Sequence, residues 1–189
     1  ENIVSAHLRS SAKRLELAGA EFIVMTCNTA HAFLDEEFFS EINIPFISIV
    51  DESILEIEKT FPASSSVGLM ATDGCYKSGI YQERIKASGR RMIIPSKDEI
   101  KNLMNLIRSI KAGTKNSGVA SDMKEIATSL VTLGADVIVA GCTEIPLVFN
   151  GNDFVVPVVS STEVLARRTV LLAQNHSSIT NFGIHNVVI

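Results

Sequence analysis

Cysteine is scarce in this chain of 189 residues: there are three, an odd number, and no two have CxxC spacing. That excludes a disulfide framework and leaves free thiols as the natural reading. Basic residues are not in excess either. The 17 Lys and Arg stand against 21 Asp and Glu, giving a formal charge of −4 and a pI near 5.6. With both signs interspersed, no basic patch exists for a nucleic-acid partner. No apolar run approaches the roughly 20 residues of a membrane-crossing helix, and no basic start with an apolar centre marks a secretory signal. The expected compartment is the cytoplasm, with no membrane partner. No low-complexity linker divides the chain. What is there, 46% apolar and 20% charged residues, is the composition of a globular protein that buries a core as one large domain or two small lobes. The first residue is Glu1 and a helical pattern is under way by Val4, which predicts that a segment ahead of it is missing.

One stretch occurs twice. Gly134-Ala135-Asp136 leads through an apolar run to Cys142, and Gly19-Ala20-Glu21 leads through another to Cys27. A helix-like run precedes each glycine. An aliphatic-Pro segment follows each cysteine, Ile44-Pro45-Phe46-Ile47-Ser48 and Val156-Pro157-Val158-Val159-Ser160. The copies lie much farther apart than the few tens of residues of a tandem solenoid. The duplication predicts two similar lobes, each presenting one thiol.

Taken in order, apolar spacing predicts a helix over 4–17 with Gly19 as its C-cap, and the unbroken run 22–25 predicts a strand covered on both faces. Asn28 and Thr29 are capping residues, which predicts a helix over 30–39 and puts Cys27 in a strand-to-helix turn. A strand over 45–50, a helix over 52–59 and a loop over 62–66 follow. The next strand is 67–71, with Thr72-Asp73-Gly74-Cys75 as a turn at its top. A helix over 79–86 and a strand over 92–94 lead to the capping box Ser96-Lys97-Asp98-Glu99, which opens a helix over 100–111. After a turn over 114–117 come a helix over 122–133, strands over 137–140 and 155–159, and a helix over 162–172. The tail 174–189 shows only weak strand propensity.

This alternation predicts an α/β fold of mainly parallel sheets flanked by helices, with right-handed crossovers. Residues 1–60 form part of a first lobe, 61–160 a second, and 161–189 a helix and tail packing back on the first. Ligands in such sheets sit beyond the carboxyl ends of the strands, where Cys27, Cys142 and the 72–75 turn all fall. If the lobes face each other, so do the thiols. A helix N-terminus favours a thiolate, and both cysteines precede capping residues, so both are expected to be activated. The hydroxyls and amide of Asn28, Thr29 and Thr143, with free backbone N–H groups, suit a carboxylate. One thiol as base and one as acid, on opposite faces of a small carboxylate, make a two-base proton-transfer site. Cys75 reads as a packing residue. His31 reads either as a packing histidine or as support for a thiolate. Glu144 either tunes Cys142 or only favours a helix N-terminus.

Thr26-Cys27-Asn28-Thr29-Ala30-His31 and Gly141-Cys142-Thr143-Glu144 resemble the paired cysteine signatures of the pyridoxal-independent aspartate/glutamate racemase superfamily. Ala71-Thr72-Asp73-Gly74-Cys75 with Ser78-Gly79-Ile80-Tyr81 makes the aspartate racemase branch the nearest in pattern, over residues 11–170. The resemblance implies pseudo-symmetric α/β lobes with the active site between them, a homodimer, and no metal or organic cofactor. It implies that Cys27 and Cys142 exchange the α-hydrogen of aspartate or glutamate. Asn28, Thr29, Thr72 and Thr143 match substrate-binding positions, and Lys111 falls where a cation meets the side-chain carboxylate. As a solvated residue at a helix end, Lys111 has a plain reading too. Family members begin with a strand and Gly-rich loop that this chain lacks. Cys75 stands where a hydroxyl residue is commoner, Ser160 where many have Asp, and Thr26 where proline is frequent. The alternatives are a related dicarboxylate isomerase or decarboxylase, a hydantoin racemase, or a ligand-binding homologue without turnover.

Overall fold

The structure, a computed structural model, describes residues 3–152 and 154–174. Helices and parallel strands alternate. In chain order they are α1 (Ile3–Leu17), β1 (Ile23–Met25), α2 (Glu36–Ser40), β2 (Phe46–Ser48), α3 (Ile49–Thr60) and β3 (Ser66–Ala71). There follow α4 (Asp73–Ser78), α5 (Ile80–Ala87), β4 (Arg91–Ile93), α6 (Lys97–Lys111), α7 (Ser117–Thr132), β5 (Val137–Gly141), β6 (Val158–Ser160) and α8 (Ser161–Ala173). The strands form two parallel sheets, one of β1 and β2, the other in the order β4-β3-β5-β6. This is the α/β class that the alternation predicts. Among the described residues no helix is long and apolar enough to cross a membrane.

The duplicated sequence is duplicated structure. Helices α1 and α7 both end in a left-handed glycine, Gly19 at φ +90° and Gly134 at φ +98°. Gly19 N–H donates to the Glu16 carbonyl and Ala20 N–H to that of Leu15; Gly134 and Ala135 repeat this onto Val131 and Leu130. Each is a Schellman ending, which satisfies the last helical carbonyls and turns the chain into the next strand. The strands then pair in the same register, Ile23 opposite Phe46 and Ile138 opposite Val158. The prolines play matching parts: Ile23 N–H donates to the Pro45 carbonyl at 2.8 Å and Ile138 N–H to that of Pro157 at 2.9 Å. Lacking an N–H, proline is tolerated at the start of such an edge strand. Ser48 and Ser160 cap the helices that follow, accepting from Asp51 N–H and Glu163 N–H.

Helices α3 and α8 pack against each other, and their buried residues Ile54, Ile57, Val164 and Leu165 join Val67, Leu69, Val137 and Val139 in one cluster. The opposite face of the four-stranded sheet is covered by α6 and α7, through Leu103, Leu106, Ile107, Met123 and Leu130. Strands β3 and β5 are buried along their whole length, as apolar runs without alternation require.

The structure corrects several expected boundaries. The helix expected over 30–39 is a 3₁₀ turn, Thr29–Phe33, followed by the short α2. Asp35 divides them: it caps α2 by accepting from Phe38 N–H at 2.8 Å and is clamped by Arg9 at 3.1 Å. The expected turn at 72–75 is the first turn of α4, capped by Thr72. Helix α7 starts at Ser117 because Asn116 caps it, its side chain accepting from Val119 N–H. The strand expected over 45–50 yields Ile49 and Val50 to α3, where Ser48 begins the helix. The strand expected over 155–159 is confined to Val158–Ser160. Of the tail, 175–189 lies outside the described residues.

Candidate active site

The loops at the carboxyl ends of β1, β3 and β5 carry most of the residues singled out by sequence, and hydrogen bonding brings the first two of these loops together. At the end of β1, Cys27 is exposed. The next residue, Asn28, is 3% exposed, and its side chain is held inside the protein. Its Nδ2 donates to Ser161 Oγ at 3.2 Å, and its Oδ1 accepts from the Tyr81 hydroxyl at 2.7 Å. It therefore neither caps a helix nor offers its amide freely at the rim, contrary to the sequence expectation. Thr29 turns the other way. Its hydroxyl is 2.7 Å from the Thr72 hydroxyl and 3.8 Å from Cys75 Sγ. That approach is tight: a Cβ on Gly74 would stand 2.9 Å from the Thr29 methyl, so only glycine fits there. His31 Nδ1 donates to the Cys27 carbonyl at 2.9 Å, with its ring centroid 5.6 Å from that of Phe46, and so braces the backbone of the turn.

At the end of β5, Cys142 is buried. Its thiol donates to Glu144 Oε2 at 2.9 Å, and the Thr143 hydroxyl donates to the same oxygen at 3.1 Å. The other carboxylate oxygen, Oε1, lies 3.7 Å from Lys111 Nζ at the end of α6. Thr143, Glu144 and Lys111 thus gather around the second cysteine. Glu144 contacts Cys142, Thr143 and Lys111 together.

Electrostatics act strongly on the buried thiol. Burial, and after it the hydrogen bond to Glu144, push Cys142 up to about 12. The expected activation by a helix N-terminus is not realised there. Cys142 is followed by the 3₁₀ turn Ile145–Leu147, and Cys27 by Thr29–Phe33, so no α-helix starts directly after either. Burial works to raise Glu144, but the hydrogen bonds from Cys142 and Thr143 and the Lys111 charge outweigh it and hold the carboxyl below its ordinary range. Cys75, 1% exposed, is raised chiefly by burial, with Thr29 and Thr72 opposing and a charge on Cys27 adding to the rise. Cys75 therefore packs, as expected, but it packs beside the Cys27 turn.

The two turns are physically joined. Ser161 Oγ, which accepts from Asn28, donates to the Ala140 carbonyl at 2.9 Å, two residues before Cys142. Sequence reasoning did not single out Ser161, and it noted Tyr81 only as part of the Ser78-Gly79-Ile80-Tyr81 pattern, without a role. Their hydroxyls are fully buried, and only the position of Ser161 one residue after the repeated Pro-to-Ser segment offered a signal.

Comparison with known proteins places this architecture. The broad specificity amino-acid racemase RacX of Bacillus subtilis is 31% identical over 160 residues, covering 84% of this chain and 67% of its own. A glutamate racemase of Bacillus cereus is 26% identical over 131 residues, 67% of this chain and 46% of its own, so the chain spans about half to two thirds of the length of such relatives. Among solved structures, an aspartate racemase homologue from Pyrococcus horikoshii superposes with a TM-score of 0.76 at 28% identity, covering 90% of this chain and 74% of that one. The family described as Asp/Glu/Hydantoin racemase matches residues 1–169, and the chain belongs to that family.

Proposed function

We propose that this chain carries out cofactor-independent racemisation of an acidic amino acid, aspartate or glutamate, with Cys27 and Cys142 as opposed proton carriers. The observation that carries this reading is the hydrogen-bonded tie from Asn28 through Ser161 to Ala140, which joins the Cys27 turn to the strand that leads into Cys142. A thiol pushed up to about 12 is protonated at neutral pH, so Cys142 is set as the acid. In that direction Cys27, as thiolate, takes the α-hydrogen from one face, and the Cys142 thiol delivers its proton to the other. Afterwards the charge has moved: Cys27 is a thiol and Cys142 a thiolate beside Glu144, with Lys111, 3.7 Å from Glu144, as a compensating cation. The reverse reaction starts from that state. Enzymes in which two positioned groups trade one proton need each group in both roles.

The Thr29 and Thr72 hydroxyls, already 2.7 Å apart, converge to hold the α-carboxylate. Thr143 is a further donor at the Cys142 side. Lys111 Nζ, half exposed and 3.7 Å from Glu144, is free to swing to a side-chain carboxylate, since surface pairs of this kind are held weakly. The test is incubation with L-aspartate, L-glutamate and a panel of neutral and basic amino acids in deuterated water. Loss of the α-proton signal together with appearance of the D-enantiomer is the expected result. Binding without exchange, or release of carbon dioxide in place of inversion, overturns the reading.

A further inference from the structure

The cysteine turns differ in how they are held, and the difference singles out a residue that the reaction scheme does not use. The Cys142 side is anchored by its own carboxylate contact, Sγ to Glu144, on a strand paired along both edges. The Cys27 side follows a strand of three residues. Besides the Thr29–Thr72 contact, which holds it to the end of β3, a buried chain of hydrogen bonds ties it directly to β5. The Tyr81 hydroxyl donates to Asn28 Oδ1 at 2.7 Å, Asn28 Nδ2 donates to Ser161 Oγ at 3.2 Å, and Ser161 Oγ donates to the Ala140 carbonyl at 2.9 Å.

The direction of this chain is fully determined. A carbonyl only accepts, so the one Ser161 proton is committed to Ala140, and the hydroxyl has only lone pairs left for Asn28. The Asn28 amide must then turn its NH2 to Ser161 and its oxygen to Tyr81, which must donate. Reversing any link leaves a buried polar group unsatisfied, at a cost on the order of 1–3 kcal/mol. Tyr81 and Ser161 are fully buried, and Asn28 nearly so. Water cannot substitute easily. The chain unites α5, the Cys27 turn, α8 and β5.

We propose that Ser161 is the positioning residue of the site, the strut whose hydroxyl sets the Cys27 turn against the β5 end that bears Cys142. This rests on the racemase reading above. A thiol that must approach one carbon atom opposite another thiol tolerates little displacement, and misplacement by about 1 Å can cost about a hundredfold in rate. The Asn28 side chain, which the family resemblance assigns to substrate, is on this account part of the strut.

Two readouts test it. The first is independent of turnover: hydrogen exchange of the backbone amides over 26–31 in the intact protein. Ser161→Ala and Tyr81→Phe, which delete opposite ends of the chain, are expected to speed that exchange about tenfold while leaving the amides of β3 unchanged, as local opening without global unfolding does. The second is kinetic, normalised to the titrated Cys27 thiol. Both variants are expected to lower kcat about tenfold or more with KM changed less than about twofold, and Ser161→Thr, which keeps the hydroxyl, is expected to recover most of kcat. The double variant is expected to be little worse than either single one, since each breaks the same chain. Unchanged exchange over 26–31 in either variant that folds overturns the strut. Loosened exchange with unaltered kcat overturns its positioning role. A wild-type protein inactive on every amino acid tested, yet showing the exchange effect, leaves the strut standing and discards the racemase reading instead.

Discussion

The two cysteine turns begin from the same sequence pattern and nearly the same backbone, and they end as chemical opposites. Up to the cysteine the halves share a Schellman ending, a strand register and a proline carbonyl contact. After it they diverge. Three positions after Ala140, Thr143-Glu144 brings a carboxylate to 2.9 Å from the Cys142 sulfur, whereas Asn28-Thr29 brings an amide and a hydroxyl that turn to Ser161 and Thr72. Cys142 is buried and Cys27 exposed. The duplicated pattern thus supplies two thiols at matching positions, and the two residues after each decide what surrounds it.

The comparison breaks most completely if either thiol proves dispensable. Cys27→Ala and Cys142→Ala are each expected to reduce inversion of either enantiomer by about a thousandfold or more, the scale of a lost acid or base. Chiral chromatography of the products measures it, and full activity in either variant ends the two-base scheme. Because the thiols serve opposite faces, the variants should also differ in what remains. Each is expected to retain slow deuterium exchange into the one enantiomer whose hydrogen faces the surviving thiol.

Lys111 sharpens the same contrast on the Cys142 side. Lys111→Ala is expected to raise KM for aspartate or glutamate about tenfold, the worth of one charge-assisted hydrogen bond, and to leave neutral amino acids unaffected. Steady-state kinetics on both classes decides this. Equal losses on both would assign Lys111 to Glu144 and not to substrate.

The repeat was legible because its marks are local: a glycine that must adopt positive φ, an apolar run, and a proline at a strand start. The α/β class followed from the alternation alone. Cys27, Cys142, Thr29, Thr72, Thr143 and Glu144 all sit just beyond strand ends, and Lys111 at the end of α6. The state of the thiols was not legible. Capping residues after a cysteine suggest a helix and a lowered thiol, but Asn28 and Thr29 spend their side chains on partners 133 and 43 residues away. Nothing local announces such partners. Likewise a glutamate two residues after Cys142 reads as a dipole ornament until its carboxylate is seen against the sulfur, and the buried hydroxyls of Tyr81 and Ser161 carry no mark of what they join.

The raised Cys142 makes a prediction for stability. Unfolding returns the thiol to an ordinary value near 9, below the folded value of about 12. Above about pH 9 the unfolded chain ionises first and binds fewer protons than the native one, so stability is fully present below that pH and falls as pH rises toward 12. Denaturant midpoints between pH 8 and about 11 are expected to decline, and Cys142→Ala is expected to flatten part of that slope. An unchanged slope in Cys142→Ala would overturn the assignment to that thiol. Cys75, Tyr76 and Tyr81, all raised chiefly by burial, keep the remaining slope.

The smallest effect tests the similarity and not the difference. Gly19 and Gly134 have nearly equal positive φ, so alanine at either position meets the same left-handed strain of about 1–2 kcal/mol. Their surroundings are not equal. A Cβ at position 19 meets nothing within 4 Å, while one at 134 stands 3.1 Å from Arg91 Nη2, the far end of a flexible side chain that gives way. Gly19→Ala and Gly134→Ala are therefore expected to lose similar stability by urea unfolding, with Gly134→Ala worse by only a few tenths of a kcal/mol. A loss at 134 several times that at 19 would mean that the two helix endings are not energetic equivalents. The correspondence between the halves would then be one of shape alone.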